Sequence, residues 1–254
     1  MKSRINSTLK SGLLLAGLST ALLVLAGGCP EQNASTSDIR YVNMATSLYM
    51  EPSEAVFDGI SSGYINRAQV SSYMTHASKP APLVIRNKDA QTVFSNDNFD
   101  VSDNSISNII AVGNEGSVEV VEVAVPRDEP APGAHEVVLH FVHGMQGQYP
   151  VDIYLVPTET APTGTPEVSG LAYRGVFRLP VAIIPDMQPQ PKAENSIFDI
   201  VVCSQGTTSE FGRITVSPRI GEHSIVMVTP VINFPGTRTY ECQIRLVPLI
   251  QVID

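Results

Sequence analysis

From Asp38 onward the chain consists of short apolar runs, alternating or doubly apolar, separated by turn-forming residues. Valine, isoleucine, tyrosine and phenylalanine dominate these runs, and glycine, proline, asparagine and aspartate bound them. Such residues favour strands and turns respectively. No window offers a capped run of about a dozen residues with helical spacing, which argues against long helices. The sequence therefore predicts an all-β protein built from antiparallel sandwiches.

Twelve runs carry the strand pattern, and they fall into two sets. The first set is Ile39–Asn43, Gln69–Met74, Pro82–Arg86, Ile106–Val112 and Val118–Val125. The second set is His135–His143, Val151–Val156, Gly175–Ile184, Ile197–Cys203, Arg213–Val216, Ser224–Ile232 and Tyr240–Leu249.

Composition excludes two broad classes. Apolar residues make up 43% of the chain and charged residues only 16%, a balance too apolar for intrinsic disorder. The formal net charge is −9, so the chain lacks the basic surface that releases counterions from phosphates. We therefore expect a folded protein with no nucleic-acid partner.

The N-terminal segment predicts export. Residues 1–10 carry three basic residues and no acid, and an apolar run from Leu13 to Ala26 follows. A transmembrane helix needs about 20 apolar residues, and this run is shorter. The pattern is typical of a secretory signal peptide, predicted over residues 1–28.

A cysteine directly follows this signal. Leu25 to Cys29 resembles the lipobox of bacterial lipoproteins, in which the cysteine is acylated and the preceding peptide is removed. We predict Cys29 as the lipidation site and residues 29–37 as a polar tether. The alternative is an ordinary secreted protein cut near Gly28, which would leave a free thiol in an oxidising compartment.

The rest of the chain resembles itself across a proline-rich stretch. Residues 127–134 follow Pro126 with further prolines and charges, a composition that predicts a linker. On either side, Arg40–Asn43 parallels His140–His143. We predict two copies of one β-domain, the first over residues 38–126 and the second over 135–254.

The second copy also resembles a known family. An apolar strand ends at His143, a loop with a proline near its end spans Gly144 to Pro150, and the strand Val-Asp-Ile-Tyr-Leu covers Val151 to Leu155. In order and spacing this resembles the bacterial domain of unknown function 4397. The first copy resembles it less, with Asn43 in place of the histidine. The resemblance implies tandem immunoglobulin-like domains on an envelope protein.

His143 is the candidate site residue of this loop. It shares the inward parity of Val137, Leu139 and Phe141, so it is expected to bond a neighbouring loop carbonyl or a carboxylate such as Asp152. Contact with a ligand is the alternative for both residues.

No metal site is expected. The histidines of the stretch from His135 to His140 are one residue too far apart for the HExxH zinc motif, and on a strand they point to opposite faces. The acidic and amide residues of 95–104 lack the ligand spacing of an EF-hand loop and are expected to form turns.

Cys203 and Cys242 remain once Cys29 is acylated. An even pair in an exported domain normally forms a disulfide, which we predict here. The alternation of side chains along the strands argues against this bond. Cys242 has the same parity as the inward residues of its strand, whereas Cys203 has the opposite parity to the inward residues of its own strand. A bulge at Ser204 would reconcile the two patterns.

These features predict a non-enzymatic lipoprotein that serves as a binding or structural module of the bacterial cell envelope. It would contact a membrane through its lipid anchor, on the outer membrane or the periplasmic face of the inner membrane, and bind a protein or glycan without a cofactor. The sequence has no G-x-S-x-G elbow, P-loop or dinucleotide fingerprint. The alternative is an envelope hydrolase or metal-dependent enzyme whose site joins residues distant in sequence.

Overall fold

A computed structural model describes most of the chain after the predicted tether begins. The described residues are 35–46, 50–77, 79–114, 116–133, 135–182 and 197–230, together with the backbone of 242–249. The predicted signal peptide and Cys29 lie outside these residues, as does the side chain of Cys242.

The described residues form sixteen strands, eight in each half of the chain. The first half comprises β1 (Thr36–Asn43), β2 (Ser53–Phe57), β3 (Ile60–Ser61), β4 (Met74–Ala77), β5 (Ala81–Asn87), β6 (Thr92–Phe99), β7 (Ser105–Asn114) and β8 (Ser117–Pro126). The second half comprises β9 (Glu136–His143), β10 (Val151–Val156), β11 (Val168–Leu171), β12 (Val176–Ala182), β13 (Phe198–Ser204), β14 (Glu210–Val216), β15 (His223–Pro230) and β16 (Cys242–Leu249).

The two halves have the same strand order. In the first half, β3-β2-β5-β6 form outer sheet 1 and β4-β1-β7-β8 form inner sheet 1. In the second, β11-β10-β13-β14 form outer sheet 2 and β12-β9-β15-β16 form inner sheet 2. Each strand of the first half therefore has a counterpart eight strands later. The chain is all-β, as predicted.

Both inner sheets are mixed, which corrects the expectation of purely antiparallel sandwiches. β1 runs parallel to β7, with Tyr41 opposite Ile109, and β9 runs parallel to β15, with Phe141 opposite Val226. The remaining pairs are antiparallel. The first strand of each half thus lies between an antiparallel and a parallel neighbour.

Three apolar layers join the four sheets. The two outer layers lie between an outer and an inner sheet, with Tyr41 and Leu83 in the first half and Phe141 and Ile200 in the second. A third layer, called here the junction layer, joins the inner sheets. Its buried members are Val42, Met44, Ile106, Ile110, Val112, Val121, Val123, Val125, Val142, Ile225 and Met227. The central strands β7, β9 and β15 of the inner sheets are therefore buried on both faces, which explains their doubly apolar sequences.

The chain from Ser35 onward forms one compact unit, within which the junction layer joins the two halves. The described residues between Pro126 and Glu136 form no strand, and Glu129 of this segment forms an ion pair with Arg178 of β12. At the other end, β1 begins at Thr36, so the predicted tether overlaps the first strand by two residues. None of the described residues belongs to a helix long and apolar enough to cross a membrane.

Candidate functional site

His143 lies at the end of β9, fully buried, and both its ring nitrogens contact the loop that follows. The backbone N–H of Met145 donates to Nδ1 at 3.2 Å. Nε2 therefore carries the proton of the neutral ring and donates to the carbonyl of Tyr149 at 3.4 Å. Burial lowers the pKa of His143, although the bond to Tyr149 opposes this, so the ring is neutral at pH 7. The imidazole thus spans the loop and closes it.

The same loop is bonded to the rest of the second half at its ends. The N–H of Gly144 donates to the carbonyl of Val228 at 2.8 Å, and the carbonyl of Pro150 accepts from the N–H of Gln205 at 3.2 Å. Between these ends the side chain of Tyr149 is 84% exposed, the most exposed of the large apolar side chains in the described residues. The loop therefore exposes an aromatic ring to solvent while hydrogen bonds hold its backbone in place.

Asp152 is not the partner of His143, which corrects that expectation. Its side chain lies on the outer face of outer sheet 2, whereas His143 faces the core. The buried carboxylate accepts from the N–H of Gly170 at 2.8 Å, the N–H of Gly206 at 2.7 Å and the hydroxyl of Ser169 at 3.2 Å. Asp152 therefore ties β11 and the β13–β14 turn to β10.

Asn43 does for the first half what His143 does for the second. Its Nδ2 donates to the carbonyl of Met50 at 2.8 Å, across a loop that also ends in proline. The surrounding backbone bonds match as well. The carbonyl of Asn43 accepts from Ala68 and that of His143 from Arg174, and both donors have a positive φ. The aligned positions 43 and 143 were the only sequence signal for this shared role.

A second buried carboxylate, missed by the sequence analysis, lies on the same outer face as Asp152. Asp199 accepts from the hydroxyl of Thr215 at 2.7 Å, Nη1 of Arg213 at 2.7 Å and the N–H of Glu159 at 2.9 Å. Burial alone would raise the pKa of Asp199, but these donors outweigh it and hold the pKa below its usual value. Arg213 also bonds Glu210, so the network joins β13, β14 and the loop after β10.

The predicted disulfide is not formed in the structure, where Cys203 is a free, buried cysteine. Its side chain packs with Tyr154, Val156 and Val201 on the outer face of outer sheet 2. Cys242 belongs to inner sheet 2, on the other side of the core. The irregular register between Val202 and Cys203 does not turn the thiol inward. The parity of Cys203, which placed its side chain on the face opposite to Val202 and Ile200, is confirmed.

No cluster with metal-ligand character occurs in the part of the chain that the structure describes. None of its histidine, cysteine, aspartate and glutamate side chains form a group of three or more that could hold an ion. His135 is exposed, while His140 is buried and pairs with His223 instead. His135 and His140, the two histidines of the stretch compared with the HExxH motif, thus lie in different environments.

An open groove marks the edge of the junction between the inner sheets. Its volume is about 530 Å³, and it lies between β8 and the segment that precedes β12. Arg174 at its rim forms an ion pair with Glu119 at 3.2 Å. The lining residues are Val120, Val121, Glu122, Tyr173, Arg174, Gly175 and Val176.

Comparisons with known proteins assign no family. The chain matches no protein-family model and none of the curated proteins compared with it. Among solved structures it is similar to the TIE protein of Bacillus anthracis, with 7% identity, a TM-score of 0.24, and coverage of 84% of this chain and 44% of that one. A leucine-rich repeat protein from Bacteroides thetaiotaomicron VPI-5482 gives 10% identity, a TM-score of 0.17, and coverage of 76% and 26%. The chain spans less than half the length of either structure.

Proposed function

We propose that this protein is a non-enzymatic lipoprotein of the bacterial cell envelope that acts as a binding module, with a protein or glycan as its partner. The observation that carries this proposal is the Tyr149 side chain, bare to solvent on a loop that His143 closes from within. Lipid on Cys29 would hold the module at a membrane, as its lipobox-like surroundings suggest.

The geometry of the loop supports recognition. Exposing a tyrosine ring costs hydrophobic free energy, which a partner recovers by covering it. Because the loop backbone is bonded at Gly144, Met145, Tyr149 and Pro150, binding would order little beyond one side chain. Tyrosine suits such a position, since its ring packs on apolar surface and its hydroxyl bonds polar groups.

A photo-crosslinking residue at position 148, next to Tyr149 in the same loop, tests the binding role in intact cells. We expect specific adducts with a protein or glycan, and Tyr149→Ser should lower capture of the same partner about tenfold or more, as loss of an aromatic anchor does. Tyr64→Ser is the matched control, because Tyr64 is exposed at 46% in the first half and lies on a different loop. Equal capture by Tyr149→Ser and the unchanged protein would overturn the role of this loop.

The anchor is tested separately. Cys29→Ser should leave an unprocessed precursor that takes up no labelled palmitate, whereas Cys203→Ser should be labelled like the unchanged protein. Labelling of Cys29→Ser at the normal level would overturn the lipoprotein proposal without affecting the binding test.

A further inference from the structure

Two buried histidines face each other in the junction between the inner sheets. His140 of β9 and His223 of β15 lie on the same face of inner sheet 2 as the junction residues Val142 and Ile225. Nε2 of His140 and Nδ1 of His223 are 3.1 Å apart, the rings stack at 5.4 Å, and the two residues are 3% and 0% exposed. One nitrogen must donate and the other accept, so this contact requires at least one of the two rings to be neutral.

A positive charge on this pair is opposed by burial and also by the nearby guanidinium of Arg178, both of which lower the pKa of each histidine. Glu129 lies 3.9 Å from Nε2 of His223, but its carboxylate is already paired with Arg178. Inner sheet 1 presents Arg40, buried and bonded to Asn108, from the strand face that carries Val42. Among the described residues, the charged groups on the facing elements are Asp38 and Arg40 of β1, Glu119 of β8, Arg127 and Glu129 of the connecting segment, Arg174 before β12, and Arg178 of β12.

Burial favours the neutral form of both imidazoles. Burial, with smaller contributions from His223 and Arg178, lowers the pKa of His140 to about 4. Burial also lowers the pKa of His223, although the nearby carboxylate of Glu129 opposes this. Among the described residues Nε2 of His223 has no hydrogen-bond partner, so a proton on this buried nitrogen would lack an acceptor in the closed junction.

We propose that the His140–His223 pair makes the junction layer an acid-sensitive latch: protonation of the pair loosens inner sheet 1 from inner sheet 2 while both outer apolar layers stay closed. In the described part of the chain the two outer layers contain no such pair, and the histidine packed against the first, His76, is bonded to the carboxylate of Asp58 at 2.9 Å. His143, the histidine of the second outer layer, has both nitrogens bonded to its own loop.

The pH window follows from linkage. The closed junction holds neutral histidines, whereas an open junction exposes them to water, where they take up protons below about pH 6.5. The closed state therefore has its full stability above that pH, and it loses stability as the pH falls towards the lowered pKa of the buried histidines. For His140 alone, with values of about 6.5 open and about 4 closed, the open population rises roughly 30-fold between pH 7.5 and pH 5.

Native methionines report on each layer separately. Met44 and Met227 lie in the junction layer, Met50 in the first outer layer and Met145 in the second, and all four are at most 1% exposed. Oxidation by hydrogen peroxide, followed by mass spectrometry, measures how often each becomes accessible. N-acetylmethionine at each pH corrects for the reagent.

We expect oxidation of Met44 and Met227 to accelerate at least tenfold from pH 7.5 to pH 5, with less than a threefold change at Met50 and Met145. H140Q/H223Q should remove the acceleration. H143N is the matched control and should keep it, since it changes a buried histidine outside the junction and copies the residue at position 43.

Three results would overturn the latch. They are equal rates at Met227 at both pH values, full acceleration in H140Q/H223Q, and equal acceleration of all four methionines, which would indicate global unfolding. The first and third need only the unchanged protein, so a double variant that fails to fold does not prevent the test.

Discussion

The two halves share a topology but differ in several of the polar side-chain partnerships that support it. Both have eight strands in the same order, with a parallel pairing of the first strand and the seventh. Yet the loop after the first strand is closed by Asn43 in one half and His143 in the other. The pattern of apolar residues on the strand faces specifies the fold. Buried polar positions can differ between the halves, provided that the groups at these positions satisfy one another's hydrogen bonds.

Paired exchanges illustrate this. Tyr41 and Ser53 bond through their hydroxyls at 2.8 Å, whereas the matching positions hold Phe141 and Val151. Across β2 and β5, Glu54 pairs with Arg86, and at the corresponding place Asp152 lies opposite Cys203. Because one unmatched polar group would remain buried without a partner, such positions change together.

A charge in the junction layer should have the largest effect. Val142→Asp buries a carboxylate at a position 1% exposed, and we expect a loss of about 4 kcal/mol or more in the free energy of unfolding, measured by urea titration. Its cross-strand neighbour provides the control. Val176→Asp, at a position 41% exposed, should cost less than about 1 kcal/mol. Similar losses in both variants would contradict the burial of this layer.

The acid network on outer sheet 2 should come next. Asp199→Ala leaves Arg213 and Thr215 without their acceptor, and we expect a loss of about 2 to 3 kcal/mol at pH 7. The lowered pKa of Asp199 means that its contribution is present above about pH 4 and is lost as the pH falls further. The gap between the variant and the unchanged protein should therefore shrink in urea titrations at pH 3.

If the difference in unfolding free energy between Asp199→Ala and the unchanged protein is the same at pH 7 and pH 3, Asp199 is excluded as the titrating group. The first half has Pro82 at the matching position, so Pro82→Ala should show no such pH dependence in its effect.

The hydroxyl pair of the first half can be tested by exchange with its counterpart. Tyr41→Phe alone leaves the buried Ser53 hydroxyl without this partner and should cost about 1 to 2 kcal/mol. Tyr41→Phe with Ser53→Val copies the second half and should recover most of this loss. A double-mutant cycle by urea titration gives the coupling free energy, and additive losses would contradict the paired exchange.

The smallest effect should come from exchanging the loop anchors. His143→Asn can keep a side-chain N–H directed at the loop carbonyl, as Asn43 has at Met50, and should cost less than about 1.5 kcal/mol. His143→Ala is a larger truncation that loses both ring contacts, and it should lower the free energy of unfolding by about 2 kcal/mol or more. Urea titration measures the loss in both variants. Equal losses would show that the ring acts by filling space and not by closing the loop.

The central strands β7, β9 and β15 were the easiest to predict, because burial on both faces makes them almost continuously apolar. The edge strand β6 was missed, since Ser95 to Asn98 are polar and mostly exposed there and were interpreted as turn residues. β2 was hard to place because it is short and includes Glu54, whose charge is satisfied by Arg86. Gln69–Met74 was predicted as a strand, but β4 begins only at Met74.

The site itself was only partly accessible from sequence. Parity placed His143 facing inward and cast doubt on the cysteine pair. The pairing of His140 with His223 joins residues 83 positions apart, and no local pattern indicates it. The junction layer escaped prediction for the same reason, because a doubly apolar strand shows that both faces are covered but not by what.

Calorimetry on the chain from Ser35 onward tests most directly whether the two halves form one body. The shared junction layer predicts a single transition, with equal calorimetric and van 't Hoff enthalpies, and Met227→Ala should lower its midpoint as a whole. Two transitions, of which only one shifts in Met227→Ala, would contradict the account and show two independent sandwiches.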